Sequence, residues 1–212
     1  MNWPPALPST RTLLIAGLTA LTVALAAVGG WVWWAAQERR TEAAVAEAMV
    51  RVQPAQAPDA TAEARLTAIR ELEQLLQRYP SARGVPAIAY ELGNQRFATG
   101  QYGAARTAYD LALQRGASGL MAALARAAIA RTWEAERDYA RAAEAYAALV
   151  KHLDARSFMF EDALIDQARM LELSGKKAEA IEAYQRVLKE VPAARRADDV
   201  RSRLASLGIA AR

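Results

Sequence analysis

Cysteine is absent from this 212-residue chain, and histidine occurs once, at His152. Without a thiol there is no disulfide framework, no thiolate metal site, no cysteine nucleophile and no lipoprotein-type lipid attachment. The single imidazole lies near a helix end, with neither a Ser-Gly elbow nor an acidic cluster of metal spacing around it. It therefore reads as a surface or helix-terminal residue rather than a base or ligand. A phosphate-cradling loop is missing too, because the stretch GVPAIAYELG (84–93) has no lysine and no strand context. Charge of one sign is scarce: the net charge is +4 with both signs interspersed, which gives no nucleic-acid footprint. Together these absences argue against an enzyme, a cofactor, a metal, a small-molecule substrate and a nucleic-acid partner. Glycine (11) and proline (8) are few and sit at joints, which leaves an alanine-rich chain suited to helices.

One long hydrophobic run is present. From Thr12 to Ala36 no residue is charged, and Trp31, Trp33 and Trp34 cluster at its far end. Such a run crosses a bilayer core of about 30 Å as one helix, with indole rings at the headgroup level. Ala24-Leu25-Ala26 offers a small-x-small cleavage site, but the apolar run continues beyond it, longer than an ordinary signal peptide. A retained transmembrane helix over 13–36 is expected, after a short tail over 1–12 that carries Trp3. Its orientation stays open at this stage: Arg39, Arg40 and Arg51 favour a cytoplasmic carboxyl domain, and the short amino tail favours the reverse.

Beyond the run, the stretch Leu92–Leu113 (LGNQRFATGQYGAARTAYDLAL) reads as two short helices joined by a turn at Gly100-Gln101. Gly93 and Ala105 are small enough for close helix approach, and Tyr102 and Tyr109 are large wedges. This alternation resembles the tetratricopeptide repeat (TPR), which packs helix pairs into a superhelix. The register recurs. Small alanines stand at Ala68, Ala105, Ala142 and Ala180, and four residues after each comes Leu72, Tyr109, Tyr146 or Tyr184. The period is longer than the usual 34 or so of this repeat, so each unit is expected to carry an extra helical turn or a longer loop.

The pattern predicts an all-α fold: a TPR-like α-solenoid of about four helical hairpins plus a C-terminal capping helix, preceded by one N-terminal transmembrane helix. Within a repeat domain over 37–212, the hairpins fall near 37–80, 86–116, 119–154 and 157–192, with the cap at 195–208. A helix from Arg39 to Val52 continues from the span, and the prolines of Gln53–Thr61 mark a loop. In the expected cap, Val200, Leu204 and Leu207 share one side, with arginines mostly off that stripe.

In arrays of this type the first helix of each pair lines the concave face. Equivalent offsets place Tyr90, Asn94 and Phe97 there, then Arg131 and Glu134, then Asp162, Asp166, Arg169 and Glu172. Asn94, Arg131 and Arg169 are equivalent positions, a polar ladder suited to an extended chain or acidic side chains. The plainer alternative is that Arg131-Glu134 and Arg169-Glu172 pair with each other at i,i+3 on solvated faces. The basic pair with which chaperone-type repeats clamp a terminal carboxylate is missing there. Trp133 reads as a core aromatic. Of Phe158, Met159 and Phe160, not all can point inward on a helix, so one is expected to be an exposed apolar contact.

One amino-terminal span ending in GGWVWW, an immediate helix and alanine-rich hairpins resemble the YfgM-like family, the ancillary subunit of the SecYEG translocon. That resemblance implies an inner-membrane anchor with the amino end inside and a periplasmic array. It also implies contacts to the translocon and to periplasmic chaperones. Scaffolds of other envelope assemblies (outer-membrane biogenesis, cytochrome maturation, cell-wall synthesis) remain the alternative.

Overall fold

The structure, a computed structural model, describes residues 10–209. The expected tail, Trp3 included, lies outside the described residues as far as residue 9. Two compact units meet after Ala46.

The first unit is carried by the helix α1 (Thr10–Val52), which contains no proline and runs unbroken from the apolar stretch into the charged one. Leu18, Leu21, Leu25, Val28, Trp31, Trp33 and Trp34 along it are all exposed. This helix is long and apolar enough to cross a membrane.

The second unit begins at Glu47 and holds the end of α1, a 3-10 turn at Gln53–Gln56 and eight further helices among the described residues. These are α2 (Ala62–Arg78), α3 (Val85–Ala98), α4 (Tyr102–Gln114), α5 (Gly119–Ala135), α6 (Tyr139–Lys151), α7 (Phe160–Leu173), α8 (Lys177–Glu190) and α9 (Ala197–Ser206). No strand occurs among the described residues, and each helix from α2 to α9 packs on its sequence neighbours. Local chemistry sets many boundaries. Thr61 caps α2 by accepting from the Ala64 amide at 3.2 Å, Asp138 caps α6 through the Arg141 amide at 3.1 Å, and Pro86 opens α3. Where a loop was expected after Val52, the chain makes the 3-10 turn instead. The Arg65 guanidinium fastens it by donating to the Ala55 and Ala57 carbonyls at 3.0 and 2.8 Å.

The four-copy register is the core. Ala105, Ala142 and Ala180 are 0% exposed, Ala68 is nearly so, and Leu72, Tyr109, Tyr146 and Tyr184 are buried beside them. Small residues let the paired helices approach, and each large residue one turn on fills the space between them, a burial that stabilises by about 1.5–3 kcal/mol per large side chain. Close approach is tightest at Gly93, where an added Cβ would stand 2.8 Å from Tyr109 Cζ.

The extra length of the repeat is placed differently in each copy, and the first takes it in the link 79–84 between α2 and α3. α5 has 17 residues where the equivalent α3 and α7 have 14, and the link from α6 to α7 is the long segment 152–159. At the end of that link Phe158 is 72% exposed and Met159 half-buried, while Phe160, the first residue of α7, is buried, so the ring left outside is the first of the three. Trp133 sits at the edge of the core. Its ring is covered by the Arg106 guanidinium at 3.5 Å and flanked by that of Arg141 at 4.8 Å.

The closing helix α9 is tied down by a residue without a signal in the sequence pattern. Glu161, buried at the start of α7, accepts the backbone amides of Arg195 (3.2 Å) and Arg196 (2.8 Å), just ahead of α9. Its carboxylate thereby fixes the chain where it enters α9, close to the positive end of that helix.

Candidate functional site

Tyr90, Asn94 and Phe97 lie at i, i+4 and i+7 of α3, hence on one stripe. Leu124, Ala127, Ala128 and Arg131 form the facing stripe of α5, and Tyr109 of α4 closes the floor between them. Together they line a cleft of about 220 Å³. Four residues expected at the groove from their offsets, Tyr90, Asn94, Phe97 and Arg131, are thus brought together.

The floor is a hydrogen-bonded unit. Tyr109 donates its hydroxyl to Asn94 Oδ1 at 3.0 Å, Asn94 donates Nδ2 to Glu91 Oε2 at 3.1 Å, and Gln95 donates Nε2 to Glu91 Oε1 at 2.6 Å. The Glu91 carboxylate is buried with both oxygens engaged. The Tyr90 and Tyr109 rings meet at 5.6 Å between centroids, tilted by 50°, and the Phe97 ring meets Tyr102 edge-on at 5.3 Å. Burial pushes both the Tyr90 and Tyr109 phenols above their ordinary pKa, so they are neutral donors at physiological pH. Arg131, exposed at the mouth, carries its guanidinium 5.3 Å from the Phe97 ring centroid.

Glu134 and Arg169 belong to one polar cluster further along the array, and Glu172 to a second one. Arg169 donates to Glu134 Oε1 at 2.8 Å and to Asp166 Oδ1 at 3.1 Å. Tyr146 donates to Glu134 at 3.3 Å, Tyr184 donates to Glu172 at 3.1 Å, and Arg203 of α9 lies 3.5 Å from Glu172. Burial raises Asp166 above the usual carboxylate value, with the Arg169 hydrogen bond and charge offsetting only part of it. The i,i+3 pairs Arg131-Glu134 and Arg169-Glu172 do not form. Arg169 reaches across the helix interface to the preceding repeat instead. Of the three rungs Asn94, Arg131 and Arg169, the first and third already have partners within the chain.

Among the residues that complete the cleft, Glu91, Tyr109, Leu124, Ala127 and Ala128 escaped the sequence reading as site residues. The sequence GLMAALARAAIARTWEA of α5 is apolar on nearly every face, so its periodicity does not single out the stripe that looks onto the cleft. Glu91 carried a usable signal, a carboxylate one position from Tyr90 and three and four from Asn94 and Gln95. No group of three or more metal-ligating side chains occurs among the described residues.

No curated protein sequence matches this chain. Among solved structures, the one described as "MamA RS-1 ArsTM double mutant" superposes with a TM-score of 0.54 at 15% identity, covering 81% of this chain and 83% of that one. At that identity the likeness is one of fold. The profile of a tetratricopeptide repeat-like domain matches residues 10–209, nearly the whole sequence. With a match over that length, the chain belongs to the tetratricopeptide repeat-like domain family.

Proposed function

We propose that this chain is a non-catalytic, membrane-tethered scaffold that holds a protein segment in the cleft between α3 and α5. The observation that carries the reading is the convergence of Tyr90, Asn94, Phe97 and Arg131 on one open cleft over a rigid hydrogen-bonded floor. Rings supply contact area at low entropic cost and the guanidinium supplies directional donors. Stacked helical repeats present such surfaces to proteins, and one cleft of this size suits a transient, micromolar-class contact. Tethering through the apolar part of α1 raises the effective concentration near a membrane partner.

The resemblance to the YfgM-like family supports an inner-membrane location with the amino end inside and the array in the periplasm. On that basis the partners are the SecYEG translocon and periplasmic chaperones, and the chain links export to folding. Glu134, Arg169 and Glu172 then extend the binding face beyond the cleft.

The test is a photo-crosslinker at position 94 or 131, compared with one at Glu144 or Glu182. The expected outcome is capture of translocon and chaperone polypeptides from 94 and 131 only. Capture of components of outer-membrane biogenesis, cytochrome maturation or cell-wall synthesis from the same positions would keep the scaffold and replace the partner. Equal capture from the opposite positions would remove the cleft as the binding site.

A further inference from the structure

Comparing the repeats isolates one anomaly at the cleft. Position 134 of α5 supplies the carboxylate that binds Arg169 of α7 at 2.8 Å, and position 172 of α7 supplies the one that faces Arg203 of α9. One repeat earlier, the equivalents of Glu134 and Arg169 are Phe97 and Arg131. The carboxylate is replaced by a ring, and the guanidinium lies over that ring without a hydrogen bond or ion pair to any described residue. Glu91 is the carboxylate of the cleft floor. It does not compensate, because it is buried and its oxygens are taken by Asn94 and Gln95. The cleft therefore combines an apolar lining, an exposed guanidinium without a counter-ion, and an acid sealed beneath the floor.

We propose that the cleft recognises an extended segment of a partner protein in which a Glu or Asp side chain adjoins an aromatic or aliphatic one. The ligand carboxylate takes on Arg131 the role that Glu134 takes on Arg169, and the adjoining apolar group lies against Tyr90, Phe97, Leu124 and Ala127. A two-pronged guanidinium–carboxylate contact beside an aromatic face gives both direction and selectivity. The buried Glu91 keeps the acid at the mouth, since a second carboxylate driven to the floor would meet its charge. The precedent within the chain is a side-chain carboxylate, so the acid is assigned to a side chain rather than to a chain terminus. This assignment rests on the cleft reading given above.

The experiment selects a phage-displayed random peptide library on the full-length protein in mild detergent. Enriched sequences are then measured as end-capped synthetic peptides by fluorescence anisotropy. The expected result is enrichment of an acidic residue next to an aromatic or aliphatic one. Changing that acid to its amide should weaken binding about tenfold, as loss of one charge-assisted pair does. Phe97→Glu offers Arg131 the carboxylate of the later repeats, so it should weaken the peptide about tenfold or more, and its melting temperature is read alongside because the Phe97 ring packs on Tyr102. Arg131→Gln should abolish the difference between the acid and amide peptides, which keeps the test decisive if Phe97→Glu melts early. Enrichment without acidic residues, or acid and amide peptides bound equally, overturns the proposal. So does a free terminal carboxylate that replaces the side-chain acid. In each of those cases capture from position 94 still decides the cleft reading by itself, and an absence of any enrichment together with no capture at 94 removes both.

Discussion

Arg137 adopts φ +61° at the turn between α5 and α6, at the position where the neighbouring repeats place Gly100 (φ +76°) and Gly175 (φ +81°). The left-handed turn is thus required by the hairpin, and only this copy meets it with a side chain that strains there. Replacing Arg137 with glycine should raise stability by about 1 kcal/mol, read as a shift of the urea midpoint at constant slope. The wedge tyrosines make a second prediction. Burial, followed by the charge of Glu172, pushes the Tyr184 phenol up to about 12, and burial raises Tyr109 and Tyr146 as well, all from an ordinary value of 10.0. The fold favours the neutral phenol, so its contribution is whole below pH 10 and falls as pH rises through the folded values. Urea midpoints should therefore hold up to that pH and drop steeply above it, and Tyr184→Phe should lessen the drop. A midpoint indifferent to alkali would mean that these hydroxyls reach solvent.

Between elements, packing is decided at the alanine crossings. Ala105 and Ala142 are wholly buried in the core between packed helices. Ala105→Trp and Ala142→Trp should each cost about 1–3 kcal/mol through forced rotamers and helix displacement. Thermal melting against the parent checks this, and unchanged melting for both would disprove the repeat register. Element-scale logic also explains the arginine ladder. Helices of successive repeats bring Arg169 to Glu134, 35 residues away in sequence, and that contact wins over the Glu172 carboxylate on its own helix. Side chains in an α-helix lean toward its amino end, which aims Arg169 toward Asp166 rather than Glu172.

For the molecule as a whole, the proposal separates an apolar helix for the bilayer from a repeat array for a partner. Expected outcomes are retention of the protein in the membrane pellet after alkaline carbonate washing and activity of a carboxyl-terminal reporter that works only outside the cytoplasm. Release into the wash would refute the membrane anchor, and a reporter active only in the cytoplasm would reverse the orientation. Either result would bear on the anchor and its direction, and the cleft between α3 and α5 would be tested separately by capture from positions 94 and 131.

The helical class and the hairpin register were legible in the residues alone. Those depend on features local to the chain: the 3.6-residue period, prolines at joints, and the recurrent step from a small alanine to a large side chain one turn later. Equivalent positions of a repeat share a face, which is why Tyr90, Asn94, Phe97 and Arg131 could be assigned to one groove, whereas their arrangement on facing stripes of α3 and α5 comes from the packing. Which polar groups are already spent emerged from the packing of the helices. Glu91 is sealed under the cleft, Glu161 holds the entry to α9, Arg169 belongs to Glu134, and Phe160 rather than Phe158 enters the core. Hydrogen bonds and ion pairs are chosen by proximity across helix interfaces, and that proximity depends on crossing geometry and side-chain volume summed over several helices, which no local window of the sequence contains.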